Sequence, residues 1–100
     1  MNESVYGNLD ADGASSSLNL KRGGVLFVGS TTAKDFGGGS VSLQAKGPDG
    51  EWYESGDAIT TAVVRALDFP VPTEVRIVLG SATGPDLDYA IVSDQSSYRD

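Results

Sequence analysis

Turn-forming residues recur along this chain at intervals too short for a helical domain. Clusters of Gly, Pro, Asn, Asp and Ser interrupt it every ~8–12 residues, the spacing of a sandwich or barrel of short strands. Thirteen of the 100 residues are Gly. Nowhere does the ~3.6-residue apolar period of an amphipathic helix persist for three turns. The pattern predicts an all-β, single-domain antiparallel β-sandwich of about seven to eight short strands. Jelly-roll and immunoglobulin-like topologies satisfy the same alternation, and both stay open at this point.

The clearest strand is Ser40–Lys46, where Val41, Leu43 and Ala45 share one face and Ser42, Gln44 and Lys46 the other. Gly47-Pro48-Asp49-Gly50 follows. Proline presets φ there and glycine accepts φ > 0, so the chain reverses into Glu51-Trp52-Tyr53-Glu54 as a hairpin. Further strands are expected at Gly24–Ser30, Thr60–Phe69, Glu74–Leu79 and Asp88–Asp94. Val25 and Phe27 alternate with Leu26 and Val28, all apolar, so both faces of that strand are expected to be covered. Thr60, Thr61, Val63 and Val64 favour a strand over a helix, because β-branched side chains lose rotamer freedom in a helix. Trp52 is expected in the core, capping the sandwich, with Tyr53 exposed on the other side of the strand.

Residues 1–20 are richer in Asn, Asp, Ser and Gly, with isolated Val5, Tyr6, Leu9, Leu18 and Leu20. They read as a polar N-terminal arm or an edge strand, leaving 21–100 as the β-sandwich domain. The opening residues carry no basic region and no apolar run of signal-peptide length, and Met1 reads as a native amino terminus. The longest apolar stretches, Val25–Val28 and Ala62–Leu67, fall far short of the ~20 residues of a membrane helix. The chain is therefore expected to be soluble, made in a cytoplasm and without a membrane partner.

Composition then removes several chemistries. There is no Cys and no His, which excludes Ser-His-Asp and Cys-His nucleophilic sites, preferred zinc ligands and disulfides. A net charge of −7 repels nucleic-acid phosphates over most of the surface, so no nucleic-acid partner is expected. Asn8-Leu9-Asp10-Ala11-Asp12-Gly13 begins like a calcium loop, but Asn19 stands where the bidentate Glu belongs. It reads as a polar turn. Gly37-Gly38-Gly39-Ser40 lacks the Lys of a phosphate-binding loop and precedes a strand. A sandwich of this size leaves little volume for a deep catalytic pocket. No catalytic residue, cofactor or metal is expected.

Gly38-Gly39-Ser40-Val41-Ser42-Leu43-Gln44 followed by Gly47-Pro48-Asp49-Gly50-Glu51-Trp52 resembles a hairpin of tailed-bacteriophage structural proteins. Glu74-Val75-Arg76-Ile77, then Gly80-Ser81-Ala82-Thr83-Gly84 and Tyr89-Ala90, is similar to their closing hairpin. The resemblance spans residues 24–94, and the longer Ala58–Phe69 segment departs from it. It implies a non-enzymatic virion component made in the host cytoplasm, a capsid decoration (cement) protein that stabilises the outer shell. The implied partners are the major capsid protein and further copies of the chain, a trimer being favoured. Under this reading the contact residues are Val5, Tyr6 and Leu9 in the arm and Tyr53 on the hairpin. A neck, tail or fibre component and a small carbohydrate-binding module are the alternatives.

Overall fold

Side chains that alternate apolar and polar can bury one face only if a second sheet covers it, and this chain makes two such sheets. A computed structural model describes residues 4–21, 23–69 and 71–93. Among the described residues ten strands follow one another: β1 (Ser4–Leu9), β2 (Gly13–Ala14), β3 (Leu18–Leu20), β4 (Gly23–Val28), β5 (Lys34–Asp35), β6 (Ser40–Lys46), β7 (Trp52–Glu54), β8 (Val63–Asp68), β9 (Thr73–Gly80) and β10 (Asp86–Ser93). Sheet A has the order β1-β10-β4-β8, with β5 also on β10. Sheet B has the order β2-β9-β6-β7, with β3 also on β9. All pairings are antiparallel. The fold is thus the expected all-β sandwich. With β2 and β3 taken as one interrupted strand and β5 as a continuation of β4, the strand order is that of a jelly roll.

The inner faces meet in one core. Sheet B contributes Val41, Leu43, Val75, Ile77 and Leu79, and sheet A contributes Leu26, Val28, Leu87, Tyr89 and Ile91, all buried. Leu9, Leu18 and Leu20, from the segment expected to be an arm or edge strand, join the same cluster. Gly7 opposes Tyr89, and the Tyr89 ring lies over it: a Cβ on Gly7 would sit 3.2 Å from the Tyr89 hydroxyl. Gly24 is packed more tightly still, since a Cβ there would collide with the Val92 carbonyl.

Strand Ser40–Lys46 has the expected bounds. Its turn closes as anticipated, with Gly50 at φ 84° and its N–H donating to the Gly47 carbonyl at 3.0 Å. The expected strand Thr60–Phe69 is instead divided. Ile59 bridges Val41 in sheet B through two 2.8 Å hydrogen bonds, and β8 begins in sheet A only at Val63. The intervening residues carry the chain between sheets. Pro70, which follows the expected Thr60–Phe69 strand, and Asp94, expected to end the last strand, lie outside the described residues.

Candidate docking face

Register across sheet A places four distant residues in one line. Tyr6 opposes Ala90, Ala90 opposes Phe27, and Phe27 opposes Val64. Opposed residues share a face, and adjacent strands lie about 4.8 Å apart, so the row crosses the whole sheet in roughly 14 Å. The neighbouring row holds Ser4, Val92, Val25 and Ala66. Both rows point away from the core. Tyr6 is 77% exposed, Val64 64% and Phe27 38%. The expectation that both faces of Gly24–Ser30 are covered is therefore corrected. Leu26 and Val28 are buried by sheet B, while Val25 and Phe27 lie on a face that no described residue covers.

Polar residues close one end of this face. Asn8 donates to Asp86 at 2.8 Å and to Asp88 at 3.0 Å, and the Ser30 hydroxyl donates to Asp88 at 3.1 Å. These carboxylates are engaged with neutral donors. Among the described residues no group of three or more Asp or Glu is arranged to hold a metal ion.

The outer face of sheet B is built otherwise. Trp52 pairs with Lys46, and Lys46 lies beside Glu74 with a nitrogen–oxygen distance of 3.9 Å. The Arg76 guanidinium stacks 4.2 Å from the Trp52 ring centre and donates to Gln44 at 2.8 Å. Glu74 also accepts from the Ser17 hydroxyl at 2.5 Å. Trp52 is thus not the core residue its size suggested. Its register with Lys46 sets it on the outer face, half-buried under cationic side chains.

The four residues expected to meet a partner separate. Tyr6 stands on the open face of sheet A, but Leu9 is buried in the core and Val5 is half-buried against it. A partner could reach those two only by opening the sandwich. Tyr53 is 53% exposed at the sandwich rim, remote in register from the sheet A face. Its hydroxyl donates to Asp49 at 2.5 Å. That bond raises the Tyr53 pKa and lowers that of Asp49, whose carboxylate also accepts from the Glu51 N–H at 3.0 Å. Phe27, Val64, Val25, Val92 and Ala90 are not picked out together by the sequence, because they share a face only once the register of four strands is known.

Two shallow hollows among the described residues bear on catalysis. One of about 430 Å³ lies beside β8, lined by Val28, Gly29, Ser30, Lys34, Ala62 and Val64 among others. The other, about 460 Å³, is lined by Lys46, Pro48, Val71 and Glu74 among others. Neither gathers the convergent acid, base or nucleophile that catalysis requires. Fold and face together describe a jelly-roll sandwich with one charged and one apolar outer surface. No protein-family model, curated protein or solved structure matches the chain.

Proposed function

We propose that this protein is a non-enzymatic structural component of a virus particle, a decoration protein that binds the outer capsid surface and reinforces the shell. The observation that carries the reading is the uncovered row Tyr6–Ala90–Phe27–Val64 with Val25, Val92 and Ala66 beside it. An apolar sheet face of this kind is costly to leave in water and marks a protein–protein contact. The resemblance to tailed-phage structural proteins supplies the identity of the partner, the major capsid protein. A jelly roll is compatible with capsid and lectin roles alike, so the fold adds no preference of its own. The carbohydrate-binding alternative is less well served. Trp52 is stacked by Arg76 while Tyr53 points to the opposite side of the strand, so the two rings form no common platform.

A shell contact of modest size gains strength by repetition, since many weak sites on one lattice act together. The net charge of −7 favours solubility before assembly. Quantitative mass spectrometry of purified particles from the virus encoding the chain tests the proposal. A copy number comparable to that of the major capsid protein is expected. Absence from the particle, or the few copies of a neck or tail ring, overturns it. Within that experiment Phe27→Asp is expected to abolish occupancy, because it places a charge at the centre of the buried contact.

A further inference from the structure

Sheet A differs from sheet B at its edges as well as on its face. In sheet B one edge strand, β7, has three residues, and the other is broken between β2 and β3. At that break the Ser15 hydroxyl replaces a main-chain acceptor for the Ile77 N–H at 3.0 Å. Short and interrupted edges are how sheets avoid pairing with strangers. Sheet A ends instead in β1 and β8, each six residues long, unbroken, and free of Pro and Lys.

The ladder phase shows what these edges offer. The Gly29 N–H donates to the Asp88 carbonyl at 2.7 Å, which makes Phe27–Ala90 and Val25–Val92 the hydrogen-bonded pairs between β4 and β10. Leu26 and Val28 then bond across to Arg65 and Val63, leaving the main-chain groups of Val64, Ala66 and Asp68 pointing outward. By the same alternation Leu87, Tyr89 and Ile91 bond to β1, leaving those of Ser4, Tyr6 and Asn8 outward. No described strand takes either set. β1 and β8 run in opposite directions, because three antiparallel steps separate them. Copies placed side by side would therefore continue an antiparallel sheet.

We infer that the chain self-associates head to tail, β1 of one copy pairing with β8 of the next. Shape favours this joint over β1–β1 or β8–β8. The β1 edge presents a knob, Tyr6, 77% exposed. At the start of β8, where it meets the end of β4, Val64 borders the hollow of about 430 Å³, whose lining also includes Lys34. Setting Tyr6 against Val64 of the neighbour brings knob to hollow and extends the apolar row from copy to copy. Charge does not oppose it: on a chain of net charge −7, β1 carries none and β8 carries one Arg and one Asp. A heterologous joint of this kind closes into rings or runs on as a filament.

The isolated chain suffices for the test, so failure of the capsid reading leaves it untouched. Tyr6→Pro removes the knob and an outward N–H of β1, and Ala66→Pro removes an outward N–H of β8; neither takes away an internal ladder bond. Sedimentation velocity over a concentration series is expected to show wild type larger than monomer and each variant monomeric. An equimolar mixture of the variants is expected to form a dimer that grows no further, since each supplies the edge the other lacks. Circular dichroism establishes that the variants fold. If either proline variant does not, Tyr6→Ala or Val64→Lys replaces it with every ladder bond kept. A wild type monomeric at all concentrations, association of either variant alone, or a mixture that stays monomeric overturns the inference.

Discussion

The two outer faces of the sandwich cover one shared core, yet they solve the problem of facing water in opposite ways. Sheet B covers its β-surface with long polar side chains that engage one another: Arg76 on Trp52 and Gln44, Lys46 beside Glu74, Ser17 on Glu74. Sheet A leaves Tyr6, Phe27, Val64, Val25 and Val92 without such cover among the described residues. The core beneath is common to both. The polar cover of sheet B comes from its own side chains, and under the proposed function the cover of sheet A comes from a partner.

The largest effects should ignore this asymmetry. Ile91→Ala in sheet A and Ile77→Ala in sheet B each empty a fully buried site, and each should cost about 3 kcal/mol in urea unfolding. A marked inequality would show that one sheet, not the shared core, dominates folding. Gly24→Ala should cost about 2 kcal/mol, because the new methyl collides with the Val92 carbonyl between two paired strands. Equal stability would mean β4 and β10 separate more easily than their packing suggests.

Smaller effects should divide the faces. Trp52→Ala removes the surface on which Arg76 stacks and should cost about 1 kcal/mol, without altering partner binding. Phe27→Thr keeps a strand-favouring residue and should cost less than that, while weakening binding severely. Reversal of these two results would exchange the roles of the faces. The smallest effect concerns the hairpin tip. The Asp49–Tyr53 bond lowers the carboxylate pKa and raises the phenol pKa. Its contribution is therefore present between the ordinary values, 3.8 and 10.0. It fades as pH falls through the lowered Asp49 value or rises through the raised Tyr53 value. In Asp49→Asn, ultraviolet titration should show one tyrosine ionising at lower pH than in wild type, with binding unchanged.

Much of the architecture is legible in the order of residues. Strand β6 and its turn follow from strict alternation ended by Gly47-Pro48-Asp49-Gly50, a local signal that needs no partner. The boundary of β8 is not local. Thr60 and Thr61 have the same strand propensity as Val63 and Val64, and only the Ile59–Val41 bridge in the opposite sheet shows where the chain changes layers. Trp52 was misplaced because hydrophobicity suggests burial, whereas its side follows from pairing with Lys46. The apolar outer face of sheet A is least visible. Its four row residues stand at positions 6, 27, 64 and 90, and no pattern along the chain announces that they line up.

The place of β10 in sheet A bears on how the protein is made. This strand lies between β1 and β4 and is the last of the ten in chain order. During translation β1 therefore has no native neighbour in its sheet until residues 86–93 have left the ribosome. Tyr6 therefore waits for Ala90, whereas Phe27 can already pair with Val64 once β8 has emerged. Sheet A closes only when β10 arrives, in a long-range step that joins β1 to β10 across most of the described residues.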